Sequence, residues 1–224
     1  MLQRGCAKFF AISLTLLLEA RRTGRLELLY WLPPLFLVWA NTHVQFIYGL
    51  FAAGLFVTFN LVQNWASDRG LATDFFHPPL LPSRTLLVLL GASVLASCVG
   101  PYSYHLYSVI FDYATSKFPY AHIAEFQAFR LRTYTDFVQL LLALFAFFTL
   151  VRRRPWDPFL LILLFVATIV GFRTARDAWF VCIPATAYLA AAFASSTPEP
   201  RETMIEKTGI AVVLAVLIFC TLGF

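Results

Sequence analysis

Residues Leu28–Ser67 read LLYWLPPLFLVWANTHVQFIYGLFAAGLFVTFNLVQNWAS, a stretch without one Asp, Glu, Lys or Arg. A hydrocarbon layer about 30 Å thick is crossed by roughly 20 helical residues rising ~1.5 Å each. A charge-free run of this length therefore predicts two crossings. The polar interruption Asn41-Thr42-His43 divides it. The reading is one span over 28–40, entered through Pro33-Pro34, and a second over 45–64. Proline costs a helix interior about 3 kcal/mol in water, but in a bilayer bundle neighbouring helices re-satisfy the backbone.

The rest of the chain agrees. Of 224 residues 60% are apolar and only 13% are charged, where soluble domains carry roughly 25%. That composition excludes a free-standing soluble enzyme, a disordered chain and a nucleic-acid-binding protein. The fold expected is all-α, a polytopic transmembrane helical bundle of seven or eight spans in a single domain, residues 1–224. The remaining spans fall near 9–20, 85–99, 137–151, 159–172, 178–193 and 209–224, with one amphipathic external loop over 100–136. The apolar run after Arg4 and Lys8 resembles a signal peptide, but Glu19-Ala20-Arg21-Arg22 follows it without a small-x-small cleavage site. It is read as retained. Cys6, Cys98, Cys182 and Cys220 show neither metal nor redox spacing.

Net charge is +5, and the distribution of Lys and Arg orients the chain. The alternate connections 21–27, 68–84, 152–157 and 195–207 are the richer in basic residues and are expected in the cytoplasm of a bacterium, with the spans in its inner membrane. The loop 100–136 and the turns 41–44 and 173–177 then share the external face. Within the loop Leu106, Val109, Ile110, Tyr113 and Ala114 recur at helical spacing, predicting a helix that lies in the interface. Its tyrosines also suit an aromatic belt.

Polar groups converge on that face. Asn41 and His43 occupy one turn; Tyr102, His122, Glu125 and Gln127 lie in the loop; Arg173 and Arg176 form the next turn. Two arginines on the less basic side call for a reason, and the guanidinium fork matches phosphate oxygens. Pairing of Arg176 with Asp177 or Asp136 is the structural alternative. His122 and Glu125, at i and i+3, would share a helix face and are the weak candidates for a divalent metal or for acid–base work. No metal site is assigned and no catalytic residue is named. Phosphate-loop, nucleophile-elbow and H-E-x-x-H motifs do not occur.

The run Leu32–His43, followed in order by Gly100-Pro101-Tyr102, by His122-Ile123-Ala124-Glu125-Phe126-Gln127 and by Arg173 to Arg176, resembles large bacterial membrane proteins. These are described as GT-C superfamily glycosyltransferases, similar to dolichyl-phosphate-mannose protein mannosyltransferases. The resemblance implies a polytopic helical fold and sugar transfer from a polyprenyl-phosphate donor at the extracytoplasmic face, with the carrier phosphate near Arg173 and Arg176. It aligns the chain with the carboxy-terminal half of that family, whose catalytic acidic residue lies in an amino-terminal external loop. Gly100 stands where the family pattern leads one to expect Asn.

The function expected is the carrier-binding part of such an enzyme, not catalytic alone. Its partners would be the bilayer, the polyprenyl-phosphate carrier and a complementary membrane chain, with no nucleic acid. The alternative is a non-catalytic structural subunit or scaffold of a larger membrane complex. A transporter ranks last, because the deep parts of the spans carry almost no charge.

Overall fold

The computed structural model describes residues 2–70, 81–115, 133–152 and 157–194. Among the described residues there are eight α-helices, two short 3-10 helices and no strand. They belong to two compact units, Met1–His122 and Ile123–Phe224.

In the first unit, α1 spans Leu2–Thr23, a 3-10 helix Leu26–Trp31, α2 Leu32–Thr42, α3 Phe46–Asp68, α4 Ser83–Ser97 and α5 His105–Thr115. The run 28–40 is not one continuous helix. Pro33 and Pro34 have no N–H with which to answer the carbonyls of Leu29 and Tyr30, so the α-ladder cannot run through them. The chain arrives instead as a 3-10 turn, closed by Leu32 N–H on the Leu29 carbonyl, and α2 starts afresh with the prolines in its first turn. Eleven residues make α2 about 16 Å long, shorter than a hydrocarbon layer.

The α1 helix packs against α3, and α4 packs against α2 and α3. Their common core is aromatic. The fully buried Trp39 ring is stacked between Phe9 and Phe36, at centroid distances of 5.7 and 5.9 Å. Pairs of this kind add about 0.5–1.5 kcal/mol each beyond their area. Gly49 lets α3 approach this cluster, since a β-carbon there would overlap the Trp39 ring. At the far end of α3, the side-chain amides of Asn60 and Asn64 both donate to the Leu81 carbonyl, at 3.0 and 3.2 Å. Asn64 also donates to the Ser83 hydroxyl. A buried and a half-buried amide in an apolar helix thereby tie it to the start of α4.

The second unit contains α6 Tyr134–Arg152, α7 Pro158–Arg173, a 3-10 turn Ala175–Asp177 and α8 Trp179–Ala194. Asp157 caps α7 by accepting from Leu160 N–H at 3.2 Å, and Pro158 occupies the first helical position. The α8 helix packs against both α6 and α7. Its residues Trp179–Thr186 are buried, with Pro184 among them. Gly171 permits the α7–α8 contact, because a β-carbon there would meet the Val181 side chain.

Among the described residues two helices, α3 and α6, are long and apolar enough to cross a membrane. Shorter apolar helices are α4, α7 and the first three turns of α8. The expected span 209–224 lies outside the described residues. Only 22% of the apolar window of α6 is buried. Phe137, Leu141, Leu144, Phe145, Phe148 and Val151 form an exposed stripe along its length, at the i, i+3, i+4 spacing of one helix face.

Candidate functional site

The residues expected to form an external polar site divide between the two units. In the first unit, Asn41 closes α2. Its side-chain amide donates to the Leu37 carbonyl at 2.8 Å and, 58 residues along the chain, to the Val99 carbonyl at 2.7 Å. Its oxygen faces Gly100 so closely that a β-carbon on Gly100 would overlap it. Asn41 is therefore a latch between the ends of α2 and α4, and Gly100 is the small residue that the latch demands.

His43 ends the same helix. Its backbone N–H caps the Trp39 carbonyl at 2.9 Å, and its Nδ1 accepts from Gln45 N–H at 3.2 Å, which turns the chain into α3. Tyr102 is 69% exposed in the turn that follows Gly100. That turn is held by Ser103 in the left-handed region, at φ +46°, a conformation uncommon outside glycine.

One pair at this end has no counterpart in the sequence reading. The hydroxyls of Ser97, the last residue of α4, and Tyr107, in the first turn of α5, share a short hydrogen bond. The Tyr107 ring meets Phe46, the first residue of α3, edge-on at 5.7 Å. Burial pushes the Tyr107 phenol above its ordinary value, with the Ser97 hydrogen bond acting in the opposite sense. Only the spacing of α5 residues hinted at this docking; the Ser97–Tyr107 contact is set by how α4 turns into α5.

In the second unit, Arg173 ends α7 and is exposed, and Arg176 lies in the 3-10 turn. The buried Asp177 organises the turn. It accepts from the Thr174 hydroxyl at 2.7 Å, and its second oxygen lies 3.7 Å from Arg176 Nε. The pair is largely withdrawn from solvent, with the Arg176 and Asp177 side chains 19% and 6% exposed. A buried carboxylate beside an arginine offsets part of its charge. The turn thus carries one exposed arginine and a second whose guanidinium lies beside a buried carboxylate.

His122, Glu125 and Gln127 lie outside the described residues. Among the described residues there is no group of three or more His, Cys, Asp or Glu side chains able to hold a metal ion. A further feature that the sequence did not mark is Gln139, on α6. Its side chain is 2% exposed, and neither its oxygen nor its nitrogen has a hydrogen-bond partner among the described residues.

No protein-family model, curated protein or solved structure matches this chain.

Proposed function

We propose that this chain is a multi-pass protein of a bacterial inner membrane and forms the carrier-binding part of a GT-C-like glycosyltransferase that uses a polyprenyl-phosphate sugar donor. The observation that carries the membrane assignment is α6. A 19-residue apolar helix that serves as a soluble core would be wrapped by protein, yet most of this one is not, and its bare face is a continuous row of Phe, Leu and Val. About 28 Å of such a face at ~1.5 Å per residue matches a hydrocarbon layer. Water would oppose its exposure at roughly 25 cal/mol per Å2.

The carrier assignment rests on the α7–α8 corner. Arg173 and Arg176 stand at the end of an apolar helix, where a phosphate in the headgroup region would be held by charge-assisted hydrogen bonds. The polyprenyl tail would lie along the apolar helices beside it. Glu125 and Asp112 are not assigned as catalytic.

A second reading, a structural subunit of a larger membrane complex, is favoured by the amount of bare apolar helix surface, which suits protein partners as well as lipid. Photo-crosslinking of membranes with a polyprenyl-phosphate probe, coupled to intact-mass identification of co-purifying chains, separates the two. Labelling at the α7–α8 corner that disappears in the Arg173→Gln/Arg176→Gln variant supports the carrier role. An unlabelled chain that co-purifies in fixed ratio with an unrelated complex would replace it with the structural one.

A further inference from the structure

The α5 helix divides its circumference in a way that identifies what it touches. His105, Ser108, Asp112 and Thr115, spaced 3, 4 and 3 apart, lie on one face of an α-helix, and all four are exposed. The opposite face holds Leu106, Tyr107 and Ile110, which are half-buried. Between the two faces, Phe111 lies on one flank and Val109 and Tyr113 on the other. These three are apolar or aromatic and yet 67%, 38% and 49% exposed. Apolar and aromatic flanks beside a polar crest suit the boundary between water and lipid.

The position of α5 along the membrane-length helix is fixed independently. Tyr107 touches the ring of Phe46, the first residue of α3, and the hydroxyl of Ser97, the last residue of α4. Both contacts are helix ends. The first turn of α5 therefore sits at the level where α3 begins, which for a crossing helix is the boundary between hydrocarbon and headgroups. Tyrosine and other amphipathic aromatics favour that level.

We propose that α5 is an interfacial helix whose flanks, Phe111 on one side and Val109 with Tyr113 on the other, insert into the headgroup layer of the lipid surface around the first unit. The stripe His105-Ser108-Asp112-Thr115 faces water. The proposal rests on the membrane reading given above. It takes a lipid surface rather than a second protein as the occupant, because the apolar flanks follow directly on the turn held at the start of α3 and are separated by a fully polar crest. Amphipathic helices of this kind lie in the interfacial plane.

The test uses the full chain with its four cysteines replaced, reconstituted in phosphatidylcholine–phosphatidylglycerol vesicles. An environment-sensitive fluorophore is placed by Phe111→Cys, Tyr113→Cys, Ser108→Cys or Asp112→Cys, one at a time, with Val62→Cys on α3 as the deep reference. The expected result is several-fold stronger quenching by headgroup-proximal spin-labelled lipid at 111 and 113 than at 108 and 112, with the reverse order for aqueous iodide. Equal quenching at all four positions, or protection of 111 and 113 from both quenchers, would overturn the proposal while a quenched Val62 probe left the membrane reading intact. If acyl-chain spin labels fail to reach the Val62 probe, the membrane reading fails and α5 falls with it. Two positions on each face keep the result readable if one variant does not fold.

Discussion

Replacing Gly100 with alanine should be costly only while Asn41 is present. The Gly100 backbone is not in the positive-φ region, so alanine has no intrinsic conflict there. The obstacle is the Asn41 side chain, which a β-carbon would overlap. Overfilling a packed site costs about 1–3 kcal/mol. Removing Asn41 forfeits its hydrogen bonds to the Leu37 and Val99 carbonyls, each contributing about 0.5–1.5 kcal/mol net. In the Asn41→Ala background the overlapping amide is gone, and Gly→Ala can then stabilise by about 0.4–1 kcal/mol through the unfolded chain. The double-mutant cycle is thus expected to show a coupling of about 1–3 kcal/mol, with the double variant no less stable than Asn41→Ala alone. Equilibrium unfolding of the four proteins in detergent micelles, followed by tryptophan fluorescence, measures it. A Gly100→Ala cost that is the same in both backgrounds to within about 0.5 kcal/mol would refute the latch.

Three further outcomes are expected. Gln139→Met, which keeps the volume and removes a buried amide without partners among the described residues, should raise stability by about 1–3 kcal/mol in the same unfolding assay; a loss would mean that the amide is bonded. Tyr107 has its pKa raised above the ordinary value of 10.0 by burial, so the folded state holds its proton longer than the unfolded one. Its contribution is full below the unfolded pKa and is lost as pH rises through the folded value. Unfolding midpoints of the native protein should therefore fall more steeply above pH 10 than those of Tyr107→Phe; parallel curves would contradict the assignment. Under the proposed carrier role, Arg173 is exposed whereas Arg176 is mostly withdrawn beside the buried Asp177, so Arg173→Gln should weaken polyprenyl-phosphate binding more than Arg176→Gln does, by roughly tenfold for one charge-assisted contact. A titration of both variants reads the order.

Helices were legible where local pattern suffices. The charge-free runs 137–151, 159–172 and 178–193 correspond to α6, Pro158–Arg173 and Trp179–Ala194 within a few residues, because charged residues and proline bound them directly. The break before Leu32 was less legible, although its cause is local. Prolines accepted within a bilayer helix and prolines that begin a new helix look the same in sequence. Pairings between distant residues were not legible. Nothing in the spacing of Asn41 and Val99, or of α2 and α4, says that one side-chain amide will join them. The outward face of α6 was hidden for a related reason: a helix apolar nearly all round has no polar side to reveal which face meets protein. At the α7–α8 corner the neighbouring Arg176 and Asp177 suggested a pair, but the role of Thr174 in holding the carboxylate follows from the turn geometry alone.

The central claim is that the α7–α8 corner holds the phosphate of a lipid carrier. The most direct measurement is an equilibrium titration of the reconstituted chain with a polyprenyl phosphate and, separately, with the corresponding polyprenol. The account predicts saturable binding that requires the phosphate, weakens with salt and disappears in Arg173→Gln/Arg176→Gln. Binding that is equal for phosphate and alcohol, or that survives loss of both arginines, would contradict it.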